Sequence, residues 1–222
     1  MSYRIKVPAK TLPADEAHML SWLDHTLHRV QDYRRPLLVG LGVLVLAVAV
    51  VGGVFYVDRQ AAQKAQDLER EAMRFLTAPS ANDPQKADLA LKEAIAKYRQ
   101  IVDQYPRTPT APLALYHLGN TLVQANELSA AIEAYQRFLT LYSSNPSMAG
   151  LVQQRLAYVH LLKGDRDQAK KALTGILETP GTLNRDQALF ELARLEESQS
   201  RPEGALAHYQ ELIKTYPNSP FT

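Results

Sequence analysis

Leu37 to Val57 reads LLVGLGVLVLAVAVVGGVFYV, 21 residues without a charge or a strongly polar side chain. No other stretch restricts the fold as much. As a helix rising about 1.5 Å per residue it extends roughly 32 Å, enough to cross the ~30 Å hydrocarbon layer of a bilayer. A helix satisfies its own backbone hydrogen bonds in lipid, whereas an open strand does not. Pro36 is expected in the first turn of this span, where no N–H is required. Phe55 and Tyr56 suit a membrane interface. The segment before the span is too long for the basic region of a cleaved leader, and the apolar run is longer than a leader's. The sequence therefore predicts a membrane-spanning anchor at 36–57.

Cysteine usage supports that assignment. The chain has no cysteine, which excludes disulfides, thiolate metal sites, a thiol nucleophile and the lipid-bearing cysteine of a bacterial lipoprotein. The span is then the expected means of attachment. Net charge is +2. Residues 1–35 carry six basic residues against four acidic ones, and residues 58–222 balance at 19 and 19. A neutral domain has no field to hold a polyanion, so no nucleic-acid partner is expected. The Arg34-Arg35 pair abuts the span and points to a cytoplasmic N-terminus, although basic residues near the two ends of the span are equal in number.

In chain order, residues 1–35 are expected to form a flexible arm followed by an amphipathic helix from Asp15 to Arg35. Met19, Leu20, Leu23, Leu27 and Val30 recur there at helical spacing. That helix either lies on the membrane surface or packs on a partner. His18, His25 and His28 lie on it without the further ligands a metal needs. Residues 58–85 form a stem and linker. Ala61, Ala65, Leu68, Ala72 and Phe75 make a seam of two heptads, either a short coiled coil or a face that packs back on the following domain. Ala78 to Pro84 breaks the helix.

From residue 86 to the end the chain repeats. Gly119 pairs with Ala131, Ala157 with Ala169 and Ala193 with Ala205, each pair twelve residues apart. Apolar residues at helical spacing surround every one of them. A polar turn separates the two members: Ala125-Asn126-Glu127, Lys163-Gly164-Asp165 and Ser200-Arg201-Pro202. A proline is expected to end each second helix, at Pro146, Pro180 and Pro217. Small residues let two antiparallel helices approach closely while bulky neighbours interdigitate. A lone hairpin cannot bury its outer face, so hairpins stack. The expected fold is all-α: one transmembrane helix and a solenoid of helical hairpins.

Leu115-x₂-Leu118-Gly119-x₂-Leu122 followed by Ala131-x₃-Tyr135 resembles the tetratricopeptide repeat. The links Tyr105-Pro106-Arg107-Thr108-Pro109 and Tyr216-Pro217-Asn218-Ser219-Pro220 resemble a variant common in bacterial envelope proteins. Residues 85–105 look like a second helix without its first, a role the stem is able to take. The layout also resembles the group that includes the ancillary subunit of the bacterial Sec translocon. The resemblance implies repeats on the extracytoplasmic side of the inner membrane. It further implies a concave groove lined by first helices, mapping onto Tyr116, Asn120, Gln154, Tyr158, Phe190 and Arg194. Rings and amides suit an extended peptide. Of the family's basic clamp for a terminal carboxylate, only Arg194 is matched.

No catalytic motif is found: no G-x-S-x-G, Walker loop, dinucleotide fingerprint or H-E-x-x-H. The expectation is a non-enzyme without cofactor or metal. Its partners would be other proteins: a translocon, envelope assembly machinery or client polypeptides. Two roles remain open, a scaffold or chaperone-like accessory and a structural subunit holding one fixed neighbour. The sequence places no capping helix after the last hairpin. Leu206, Tyr209, Leu212 and Ile213 are then candidates for an open docking or self-association surface, unless the tail folds back and Phe221 covers it.

Overall fold

The computed structural model describes residues 14–77 and 83–222, with side chains from Arg34 onward except Leu37. The arm at 1–13, the breaker at 78–82 and the faces of the amphipathic helix with His18, His25 and His28 lie outside what is described. Eight helices and no strand occur among the described residues: α1 (Ala14–Thr77), α2 (Pro84–Gln104), α3 (Thr110–Gln124), α4 (Leu128–Leu141), α5 (Pro146–Leu162), α6 (Arg166–Glu178), α7 (Arg185–Ser198) and α8 (Pro202–Thr215). The chain divides into two compact units, Met1–Val57 and Asp58–Thr222.

Among the described residues one helix, counted from Arg34, is long and apolar enough to cross a membrane, and its apolar run lies in the first unit. Its apolar side chains point outward; Leu38, Val45 and Val51 are 59–69% exposed. A globular helix would bury such a surface. Pro36 lies inside α1 rather than in a first turn. The helix begins upstream of it, so proline removes one internal backbone donor there instead of occupying a free N-terminus. Gly40, Gly42, Gly52 and Gly53 have open space where a side chain would be.

In the second unit the stem residues 58–77 pack on the repeats. Ala65 and Ala72 are fully buried, and Leu68 and Phe75 are packed against the core. The heptad spacing is thus the face turned toward α2, which Lys97–Glu71 (2.6 Å) and the Tyr98 hydroxyl on Met73 Sδ (3.3 Å) also join. The stem stands in the place of a first helix for α2. Three hairpins follow: α3 with α4, α5 with α6, α7 with α8. They stack through α2 on α3, α4 on α5 and α6 on α7.

The small residues lie where the sequence puts them. Ala131, Ala157, Ala169, Ala193 and Ala205 are at most 3% exposed. Gly119 differs in its reason. The space its missing Cβ would fill belongs to the ring of Tyr135, whose Cε1 lies 2.3 Å from the ideal Cβ position. The nearest approach is therefore to a ring one turn after Ala131.

The three hairpin turns share one geometry. Asn126, Gly164 and Ser200 have positive φ (59°, 79° and 57°). The next residue's N–H reaches back five positions: Glu127 to Leu122, Asp165 to His160, Arg201 to Glu196, at 2.8–3.0 Å. This is the left-handed helix stop, which caps the last carbonyls and reverses the chain. Prolines also start helices: Pro84 and Pro146 open α2 and α5 behind Asp83 and Asn145, whose side chains cap backbone N–H groups. Pro146 accordingly begins α5, while α4 already ends at Leu141.

The tail 217–222 folds back. Tyr216–Thr222 repeats the turn of the first link: Ser219 N–H donates to the Tyr216 carbonyl (3.0 Å), as Thr108 does to Tyr105 (3.1 Å). Ser219 Oγ donates to Asp186 (2.6 Å), and Phe221 stacks on Phe190 with centroids 5.4 Å apart. Leu212 is buried and does not belong to an open surface, because its face of α8 turns inward to α7. Leu206 and Ile213 remain more than half exposed, and Tyr209 is partly covered by Phe190.

Candidate functional site

The first helices of the hairpins form two neighbouring clefts. The larger, about 690 Å³, lies between α5 and α7, with Leu151, Gln154, Arg155, Tyr158 and Leu161 on one side and Gln187, Glu191, Arg194 and Leu195 on the other. The smaller, about 360 Å³, lies between the stem, α3 and α5. Met73, Leu76, His117, Asn120, Val123 and Tyr135 line it. Arg155 and Tyr158 belong to both. They sit three apart on α5, so successive turns of one helix present both side chains to the same face.

The structure treats the six predicted groove residues differently. Tyr158 is half exposed, with its ring between the two clefts. Asn120 is held by Tyr135, whose buried hydroxyl donates to Asn120 Oδ1 (2.7 Å). Asn120 lines the smaller cleft with its oxygen already engaged, so what its amide can offer a peptide there is a donor. Burial raises the Tyr135 hydroxyl well above the phenol range, so it stays a donor. Tyr116 lines neither cleft and acts from behind: its hydroxyl accepts from Arg155 Nε at 3.4 Å. Arg194 lines the larger cleft with its guanidinium 5.8 Å from the centre of the Phe190 ring.

Gln154 and Phe190 are both engaged within the repeat domain. Gln154 is used at both ends: Nε2 donates to Glu191 (2.9 Å), and Oε1 accepts from Asn184 (3.2 Å). Asn184 also donates to the Gly150 carbonyl (3.1 Å), and its Oδ1 stands 2.5 Å from where a Gly150 Cβ would be. These contacts tie α5 to α7 and leave Gln154 little to offer a peptide backbone. Phe190 lines neither cleft, because Phe221 and Tyr209 cover its ring.

Arg155, Glu191 and the stem residues Met73 and Leu76 were not anticipated as cleft groups. Arg155 shares a face with Tyr158, but the first-helix mapping carried over only two positions of each helix, and Arg155 is not one of them. The stem carried no repeat signature at all. His117 stacks on Tyr98 at 5.7 Å, and burial lowers its imidazole below the usual range, so it meets the cleft uncharged near neutrality. Among the described residues no cluster of three histidines or carboxylates could hold a metal ion.

A sequence family described as "Tetratricopeptide repeat-like domain" matches residues 31–182, which takes in the apolar run and the stem. A second, "Tetratricopeptide repeat", matches residues 155–220. No curated protein matches the sequence significantly. Among solved structures, a tetratricopeptide repeat protein from Parabacteroides merdae superposes with a TM-score of 0.53 at 17% identity, covering 72% of this chain and 56% of that one. A MamA protein gives 0.51 at 16% identity, covering 70% and 74%. The apo form of RapI gives 0.51 at 14%, covering 69% and 56%. At these identities the likeness establishes the shared fold.

Proposed function

The chain belongs to the tetratricopeptide repeat-like family, its repeats make a protein–protein interaction module, and on that premise we propose that it is anchored in a membrane by 36–57 and binds an extended segment of a partner polypeptide along α3, α5 and α7. The observation that carries the proposal is the pair of clefts sharing Arg155 and Tyr158 on the first-helix face. A half-exposed ring and an amide whose oxygen is already engaged are what a bound backbone needs: apolar area and spare donors.

The anchor rests on the exposed apolar helix. A bacterial inner membrane, with the N-terminus cytoplasmic and the repeats extracytoplasmic, rests on Arg34-Arg35 and the envelope-type links. In this role the protein is a scaffold or chaperone-like accessory near a translocon or assembly machine.

Photocrosslinking in native membranes tests this. A crosslinking residue at Tyr158 should capture polypeptides that the same residue at Glu133, exposed on α4, does not. Many sub-stoichiometric products indicate clients, and one stoichiometric product indicates a structural subunit with a fixed neighbour. Equal capture from Tyr158 and Glu133 would refute the site. A reporter active only outside the cytoplasm, fused after Thr222, tests the topology; silence there with an active cytoplasmic reporter at the same place refutes it.

A further inference from the structure

The charges around the larger cleft do not cancel. Glu191 Oε1 accepts from the amides of both Gln154 and Gln187, each at 2.9 Å, so the carboxylate is already held by two donors of its own framework. Arg155 and Arg194 line the same cleft. Among the described residues neither pairs with a carboxylate: Arg155 contacts the Tyr116 hydroxyl, and Arg194 the Phe190 ring. A guanidinium without an anion, fixed beside aromatic rings, presents a planar fork of donors that matches a carboxylate. On the other side of the Arg155–Tyr158 ridge the smaller cleft has an apolar wall, Met73 and Leu76 of the stem with Val123 of α3, facing the polar side chains His117, Asn120, Thr121 and Gln124. A cation and an apolar wall thus adjoin across one side chain.

We propose that the groove selects an extended internal peptide segment bearing an acidic side chain next to an apolar one, the carboxylate on Arg155 and the apolar side chain in the recess between the stem and α3. The selectivity rests on the groove being the binding face, and it adds to that the sign of charge and the stem's part in recognition. Specificity of this kind comes from both the matched charge and the rejection of a like charge by Arg155 and Arg194. The stem is then part of the recognition surface as well as a connector.

The test uses the full chain in detergent micelles and two displayed libraries of short random peptides, one with blocked and one with free C-termini. Asp or Glu next to an apolar residue should be enriched over Lys and Arg. Replacing the acidic residue of an enriched peptide by its amide should weaken binding roughly ten-fold, the scale of one charge-assisted hydrogen-bonded pair. Arg155→Gln should abolish the difference in affinity between the acidic peptide and its amide version. Arg155→Glu should prefer a peptide carrying Lys at that position; both variants alter an exposed side chain, and circular dichroism checks that they fold. Met73→Ser should erase the apolar preference while keeping the acidic one. Enriched peptides without acidic bias, or equal affinity of acidic and amide peptides, overturn the inference while the groove stands. Enrichment only with free C-termini assigns the site to a terminal carboxylate and likewise overturns it. No enrichment, together with no specific crosslink from Tyr158, overturns the groove itself.

Discussion

Replacing Gly119 by alanine tests the helix crossing on which α3 and α4 are built. Alanine in a helix is ordinarily favoured over glycine by about 1 kcal/mol. Propensity alone therefore predicts a stabilised protein. The structure predicts the reverse. A Cβ at this position would lie 2.3–2.7 Å from Cε1, Cζ and Cδ1 of Tyr135, a ring that is fully buried and cannot swing into solvent. Forcing it aside costs about 1–3 kcal/mol in strain. Displacing it also separates its hydroxyl from Asn120 Oδ1, which removes a further ~1 kcal/mol. Against the propensity gain, the net is a loss of about 1–3 kcal/mol. For a domain of this size that lowers the melting temperature by roughly 2–10 °C. Urea and thermal unfolding followed by circular dichroism measure it. Coupling is the second readout: Gly119→Ala combined with Tyr135→Leu should recover most of the strain, since the shorter side chain leaves room. A variant as stable as the parent or more so would show that the ring yields freely and that the close approach is not what fixes glycine here.

Stability should also depend on acid through two histidines. Burial lowers the imidazoles of both His117 and His160 below the usual value of 6.5; Asp165, 3.8 Å from His160 Nδ1, only partly opposes it. The unfolded chain then binds protons first, so their contribution is complete above pH 6.5 and is lost as pH falls through the folded values. His117→Gln and His160→Gln should each flatten the acid side of a melting-temperature profile and leave the alkaline side unchanged; parallel profiles would contradict the assignment. Ser200→Gly should be neutral or stabilise by up to about 1 kcal/mol, because glycine adopts positive φ without penalty. A clear destabilisation in urea would indicate that the serine is held by contacts other than its backbone. Phe221→Ala should expose the Phe190 ring, increase binding of a hydrophobic dye and leave peptide capture at Tyr158 unaltered. Loss of capture in that variant would place Phe190 in the binding face after all.

Much of this protein is written in local pattern. The apolar run, the small residues at fixed spacing, the polar turns and the proline links each depend on a few neighbouring residues, and a helix repeats its face every turn. That is why the hairpin order, the buried alanines and the heptad face of the stem could be read from the sequence. Contacts between helices far apart in the chain could not. Gln154 has the same chemistry as a free amide until Asn184 and Glu191 arrive on either side of it. Phe190 reads as a groove residue until the tail, thirty-one positions on, brings Phe221 over its ring. Leu212 fits an open edge by its spacing, and only the packing of α8 on α7 buries it. Arg155 gains its place because the stem, α3 and α7 all converge on one side of α5. Which side chains are already paired, and which remain to meet a partner, is decided by the distances between helices. Those distances depend on the packing of the whole stack, which periodicity along one chain does not encode.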